Sequence, residues 1–498
     1  MISQDLFDET LFENEEVFEL CAEDALQETI KQFEKSNQSV QHLSLTHPDS
    51  EPGKIDRLDG QAFTQKLNLL KQCINADGRV DVVVGTLEVL IHLQEECKSK
   101  KFLAMLERQR GLSTLLSLIG VVGEEDDLRN DGKISVLVNT LHCLISILNN
   151  ASSTQRDLAQ VILTNPLLQL KWSIDDNLMI QVLTLLQACC KNNEGNKKAW
   201  SAPRDSLRRL VTVLKETNNE DMAVAWCSFM TVLCRFDDFR ESTSAAPNIA
   251  SSHDTVLELS RCGLVLVLKD WTDRAAQNDI LMCGLLTTLR AMAVHDDIVQ
   301  SMVAVGLLDT AMGILVSSSQ DEELMTATIG MLRNVAANDE IKTTLCQSAV
   351  LMAITKIAEK YPDASLLQEH ICGLLGAMAL RKPKNASRIL QHDGALVVLS
   401  AMKRHAINPV LQRQGALAIR NFASRATTEE KQFILDTLDA EAILQFAGLH
   451  GGSVDESYAA LRDLGCKVSK TTFHDDGTVS TTPRMFGEVE SNFRAVYD

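Results

Sequence analysis

Residues 326–338 read Thr-Ala-Thr-Ile-Gly-Met-Leu-Arg-Asn-Val-Ala-Ala-Asn. Ile329, Leu332, Val335 and Ala336 fall at i, i+3, i+6 and i+7, which is one face of an α-helix. The same slots hold Leu286, Leu289, Met292 and Ala293 earlier, then Cys372, Leu375, Met378 and Ala379 later. They return as Ala416, Ile419, Phe422 and Ala423, and last as Tyr458, Leu461, Leu464 and Gly465. One apolar stripe rewritten at a near-fixed interval means a repeat protein, in which each copy buries its stripe against the next.

Anchored on the slot of Leu332, successive copies fall at Leu90, Leu144, Leu186, Met230, Leu289, Leu332, Leu375, Ile419 and Leu461. The spacings are 54, 42, 44, 59, 43, 43, 44 and 42. Six of the eight lie in the HEAT/armadillo range. The two long ones coincide with an acidic stretch, 121–133, and a Ser/Ala-rich stretch, 242–254, both expected as inserted loops. Polar turns are expected after the third helices at Asn149-Asn150, Asn192-Asn193, Asp237-Asp238, Asp296-Asp297, Asn338-Asp339 and Pro383-Lys384-Asn385. Small residues mark the next break at Gly111, Gly263, Gly306, Ala349 and Gly394. Capping boxes are expected at Ser319/Glu322, Ser365/Gln368 and Thr427/Glu430. Three helices of unequal length per repeat predict armadillo rather than HEAT. The expected fold is all-α, a right-handed armadillo-repeat α-solenoid of eight or nine three-helix repeats over residues 58–469. Residues 1–34, with 11 Asp or Glu against Lys31, form an acidic helical segment with stripes Phe7/Leu11 and Leu26/Ile30/Phe33. Residues 35–57 read as a polar linker. Residues 470–498 lose the period and read as a loose tail, with local order around Phe473 and Phe486.

Composition narrows the function. Hydrophobic residues make up 45% and aromatics only 4%, which favours helices over sheets. A formal charge of −19 excludes bulk attraction to nucleic acid or anionic lipid. The 13 cysteines have neither framework nor zinc spacing, and Cys189, Cys190, Cys234 and Cys372 occupy apolar slots. This predicts a reducing compartment, the cytoplasm with the nucleus as a second location. The N-terminus lacks the basic-then-apolar form of a signal peptide, and no apolar run reaches about 18 residues. Phosphate-loop, nucleophile-elbow, Rossmann and His-Glu-x-x-His patterns are absent. The chain is therefore expected to be non-catalytic, without cofactor or metal. His295-Asp296-Asp297 lacks a third ligand. Trp172, Trp200, Trp226 and Trp271 show no alternation with basic residues of the kind that binds single strands.

The third-helix segments Leu332-Arg333-Asn334-Val335 and Ile419-Arg420-Asn421-Phe422 resemble the Leu-Arg-Asn-Leu signature of armadillo repeats. Met378-Ala379-Leu380-Arg381-Lys382-Pro383, Met402-Lys403, Ala460-Leu461-Arg462-Asp463-Leu464-Gly465-Cys466 and the acidic start around Gln32-Phe33-Glu34 resemble the armadillo repeat-containing protein 6 family. The resemblance is clearest over 280–468. It implies an intracellular protein-binding role and supplies no mechanism.

Peptide-binding relatives such as importin alpha and beta-catenin use a ladder of third-helix asparagines, whose amides match a peptide unit in donor and acceptor. Here that slot holds only Asn334 and Asn421, and otherwise Ser146, Ala188, Val232, Ala291, Ala377 and Asp463. Tethering of neighbouring backbone by these two is the alternative use. The preceding slot carries Arg290, Arg333, Arg420 and Arg462, a row suited to carboxylates or phosphates or to pairing with the chain's own acidic turns. The candidate protein-binding groove is Arg290, Arg333, Asn334, Arg420, Asn421 and Arg462. Partners are expected to be peptide segments or helices of other proteins, with no nucleic acid and no membrane. The oligomeric state is left open. A receptor for basic peptides and a subunit of a larger assembly are the competing classes. The basic turn Arg381-Lys382-Pro383-Lys384 reads as a solvated turn or a docking signal.

The slot of Ala336 stays small in its copies, which lets helices approach at the short end of about 8–10 Å. Ala336→Leu is expected to cost about 1–3 kcal/mol by overpacking, read as a lower urea midpoint.

Overall fold

The computed structural model describes residues 4–18, 22–36, 61–72, 111–122, 131–150, 175–235, 250–317, 321–450, 452–466, 470–473 and 479–482, with a few short pieces between them (40, 43, 45, 86, 87, 89–93 and 163). The chain divides into two compact units, Met1–Cys262 and Gly263–Asp498. The described residues are almost entirely helical.

In the first unit, α1 (Gln4–Phe18) and α2 (Ala22–Lys35) pair with each other. Phe7 stacks on Phe33 with ring centroids 5.9 Å apart, in a cluster with Leu26, Ile30, Val40 and Leu43. Asn14 donates to the Thr29 hydroxyl (2.8 Å) and accepts from the Gln32 amide (3.2 Å), so this buried polar seam between the helices is satisfied. Both predicted stripes are thus used against each other. The unit continues with α3 (Gly111–Val122), α4 (Asp131–Asn150), α5 (Asp176–Cys190), α6 (Glu194–Ser201), α7 (Arg204–Glu216), α8 (Glu220–Cys234) and α9 (Ala250–Arg261). The third helices α4, α5 and α8 stack in sequence.

The second unit is more regular. Each third helix is preceded by a first and a second helix, except that α10 (Leu264–Arg274) leads directly to α11 (Asp279–Met292). Then come α12 (Asp296–Ala304), α13 (Leu307–Val316), α14 (Glu322–Val335), α15 (Ile341–Leu345), α16 (Ser348–Lys360) and α17 (Ser365–Ala379). The remaining helices are α18 (Pro383–Gln391), α19 (Gly394–Arg404), α20 (Pro409–Ala423), α21 (Thr428–Asp436), α22 (Ala440–His450) and α23 (Val454–Leu464). The third helices α11, α14, α17, α20 and α23 each pack on the next. All nine anchor residues from Leu90 to Leu461 are buried. Lys470–Phe473 (β1) and Val479–Thr482 (β2) pair antiparallel, Phe473 opposite Val479. Phe486 lies outside the described residues, as do Asp237-Asp238 and most of 35–57.

Several local expectations are corrected. Helix α3 runs to Val122, α4 begins at Asp131 and α9 at Ala250, so helix occupies both ends of the first expected loop and the end of the second. Asn149 and Asn150 close α4 itself, and Ala349 lies inside α16. Asp296-Asp297 and Pro383 open first helices, where acids and proline suit the amide-rich end. The capping box at Thr427/Glu430 is present in both directions. That at Ser365/Gln368 is not formed, and Ser319 lies outside the described residues. Asp321 is the N-cap of α14, and Gln368 instead donates to the carbonyls of Ala358 and Tyr361, both at 2.9 Å.

Polar bonds fix the repeats more closely than the apolar stripe alone. Third helices open on Asp175, Asn219, Asn278, Asp321 and Asn408, whose side chains accept from the amides of Leu178, Met222, Leu281, Leu324 and Leu411. A lysine near the start of several first helices reaches the end of the next third helix. Lys197 donates to the Arg235 carbonyl, Lys342 to that of Leu380 and Lys431 to that of Asp463. The Lys342 ammonium is buried and also bonds Asp339 at 2.6 Å. Lys342→Met keeps the apolar stem and drops the charge. It is expected to cost about 1–3 kcal/mol, measured as a lower thermal midpoint, because the Leu380 carbonyl loses its tether.

Candidate protein-binding face

The candidate residues fall on four of the five third helices of the second unit, in two groups. Arg290, Arg333 and Asn334 lie on α11 and α14, whereas Arg420, Asn421 and Arg462 lie on α20 and α23. Between them, α17 carries Gly376 in the arginine slot and Ala377 in the asparagine slot.

Both asparagines are tied to the preceding third helix. Asn334 Nδ2 donates to the Arg290 carbonyl and Asn421 Nδ2 to the Gly376 carbonyl, each at 3.0 Å. Their equal geometry follows from equal slots one repeat apart. Tethering of neighbouring backbone is therefore the observed use of one amide hydrogen in each. Arg333, Arg420 and Arg462 pair with acids, but these acids stand on third helices rather than in turns. Arg333 Nη1 lies 3.3 Å from Glu369. Asp463 serves two guanidinium groups, with Arg462 at 2.7 Å and Arg420 at 3.6 Å. One carboxylate thus stands between two cations at that end. Arg333, Arg420 and Arg462 remain partly exposed.

Two glycines make this arrangement possible. A Cβ on Gly373 would stand 2.5 Å from Arg333 Nε, so the α14 arginine lies directly across α17. A Cβ on Gly330 would stand 3.0 Å from Arg290 Nη1 and 3.3 Å from His370 Nδ1. His370 itself is only 1% exposed, and its Nδ1 is buried with no hydrogen-bond partner among the described residues. Burial pushes its ring down to about 3, assisted by the charges of Arg290 and Arg333. His370 is thus a neutral ring sandwiched in the arginine row, and the sequence pattern did not single it out. Its slot has no fixed residue type, being Ala327 one repeat earlier and Gln414 one later.

Other features resolve differently. Burial pushes the Cys234 and Cys372 thiols up to about 12, which makes them inert core groups. Trp226 and Trp271 are fully buried, and Trp226 Nε1 donates to the Leu210 carbonyl at 2.8 Å. His295 is the N-cap residue of α12, and Asp296 accepts from Asn338 at 2.9 Å. No group of three or more potential metal ligands occurs among the described residues. No single described helix is long and apolar enough to cross a membrane. A cleft of about 530 Å³ between α16 and α19 is lined by Thr355, Glu359, Gln368, Ser400 and Arg404 among others.

The stacked third helices match known proteins. An engineered protein of known crystal structure superposes with a TM-score of 0.53 at 15% identity, covering 82% of this chain and 95% of the other. Residues 1–46 match the armadillo repeat-containing protein 6 N-terminal domain. The chain is 26% identical over 403 residues to Armadillo repeat-containing protein 6 of Homo sapiens, 78% of this chain and 75% of the relative. The chain is thus similar to armadillo repeat-containing protein 6 over most of its length. The homolog of that protein from Drosophila melanogaster is 25% identical over 364 residues, 72% of this chain and 73% of its own length. The paired helices α1 and α2, with the Phe7–Phe33 stack, lie within the residues that match this N-terminal domain.

The ring of His370 takes up a proton near pH 6.5 in the unfolded chain but only near 3 when folded. Folding is insensitive to it above pH 6.5 and loses stability as pH falls below that value. His370→Gln should remove this part of the acid sensitivity. The unfolding free energy of the wild type, from urea melts, should drop relative to the variant by on the order of 2 kcal/mol between pH 7 and pH 4.5. Parallel pH curves for the two proteins would refute the assignment.

Proposed function

We propose that the chain is a non-catalytic scaffold that takes partner polypeptides on the concave, third-helix face of its armadillo repeats, over residues 286–465. The observation that carries this reading is the Asp463 cluster. Arg420 and Arg462 share one carboxylate and stay partly open to solvent. An acidic or C-terminal peptide segment offers these partly exposed guanidinium groups a carboxylate that can share or exchange with Asp463. Asn421 stands beside Arg420 and has an amide oxygen left for a peptide N–H. At the other group, an incoming carboxylate exchanges with Glu369 for Arg333. The inert thiols, the buried tryptophans and the absence of an enzyme motif in the sequence support a binding role in a reducing compartment, the cytoplasm first and the nucleus second.

The test is the pair Arg333→Glu and Arg420→Glu in one chain. Proteins co-purifying with the wild type should fall by about tenfold or more in quantitative affinity capture, with helicity by circular dichroism unchanged. Undiminished capture by a folded double variant would remove the third-helix face from consideration. Turnover of any substrate that a single substitution abolishes without unfolding would overturn the non-catalytic assignment.

A further inference from the structure

A second surface, at the edge of the repeats rather than on the third-helix face, is distinguished by charge. Residues 341–426 contain twelve Lys or Arg against four Asp or Glu, in a chain of net charge −19. The flanking stretches reverse the balance, with four against eleven over 263–340 and six against thirteen over 427–498. Within the basic band, Lys342, Arg404, Arg413 and Arg420 have acidic partners. Arg381, Lys382 and Lys384 form no ion pair among the described residues, and Arg388 donates to the Cys346 carbonyl at 2.9 Å. These four stand together in the turn after α17 and on α18.

The local backbone does not favour them there. Arg381 has φ 61°, in the left-handed region, where the matching turn after α5 holds Asn192 at φ 54°. Asparagine tolerates that region far better than arginine. Helix α18 begins with Lys382 at its N-cap, without a side-chain cap and without an acid in its first turn. Its counterparts α12 and α21 carry Asp296/Asp297 and Glu429/Glu430 at that position. Cations at the positive end of a helix repel it. The nearby acid is Asp339, held below the ordinary carboxylate range by Lys342 first, with smaller help from Lys382 and Arg381. Leu380, 41% exposed, adds an apolar contact beside the charges.

We infer that residues 380–391 form a docking surface for a short acidic segment of a partner protein. Its carboxylates pair with the cations that form no ion pair among the described residues. The acidic bands on both sides select a short ligand. A nucleic-acid duplex carries a charge about every 1.7 Å and would run on into repulsive surface, as would an anionic bilayer. This surface is independent of the third-helix face proposed above.

The test uses the full chain and a fluorescent octapeptide of alternating Asp and Glu, read by anisotropy at low salt. Lys382→Glu with Lys384→Glu should weaken binding by about tenfold or more. Lys356→Glu with Lys403→Glu makes the same charge change on the exposed flanks of α16 and α19 and should leave binding within about twofold. If the first pair lowers helicity by circular dichroism, Lys382→Gln with Lys384→Gln replaces it. Equal weakening by both pairs would mean bulk charge alone and would overturn the site. Weakening by Arg333→Glu with Arg420→Glu alone would move the peptide to the third-helix face and overturn it too. Absence of peptide binding, with or without patch-dependent binding of a single-stranded RNA or phosphatidylserine vesicles, would overturn the acidic-protein assignment.

Discussion

Burial of one apolar stripe against its copy in the next repeat is the interaction on which everything else depends. A third helix such as α14 has Ile329, Leu332 and Val335 fully buried, and its principal helix contacts are α11 before it and α17 after it. No repeat can dehydrate that stripe alone, so stability grows by neighbour contacts rather than by a central core. Contact on both sides also explains why Ala336, Ala379 and Ala423 stay small and buried. The face that is left over, away from these contacts, is free to carry charge.

Charge on that face is organised by the same periodicity. Because equivalent slots lie one repeat apart, an arginine on one helix meets a residue on the next at a fixed offset. Arg333 crosses α17 only because Gly373 has no side chain, and Arg290 meets Gly330 in the same way. Glycine here acts as a saddle for a guanidinium group rather than as a hinge. The row is therefore as rigid as the helices that carry it, and His370 is fixed as a neutral ring in its midst.

The fold was largely legible in the sequence because its determinants are local. Nine anchors, read from a helical period and a near-constant spacing, are all buried in the structure. What the sequence did not disclose is non-local. Asn334 bonds a carbonyl 44 positions away and Asn421 one 45 positions away, so their tethering role depends on the register of adjacent helices. The Lys197, Lys342 and Lys431 tethers were invisible for the same reason. Ser365/Gln368 had the spacing of a capping box, yet Gln368 is drawn to two carbonyls at the end of α16, a competition that spacing cannot express. The recurring Asn or Asp three residues before a buried Leu or Met, as in Asn278/Leu281 and Asn408/Leu411, was a readable signal for the true helix starts. At the candidate site, the residue types were legible, but which acid each arginine meets was not.

The tethers between neighbouring repeats have a mechanical meaning. In the second unit, Asn385 bonds the carbonyls of both Lys342 and Met378, while Lys342 bonds that of Leu380. These bonds, like the apolar stripe, join only adjacent repeats. Tension applied along this unit therefore meets a series of similar links instead of one master lock. An end repeat has a neighbour on one side only and yields first. Each release then adds about 43 residues of chain, roughly 150 Å when extended, and exposes a new end with the same links. Unfolding of this unit under load is therefore expected to proceed in steps, with the repeats still stacked as the template for refolding.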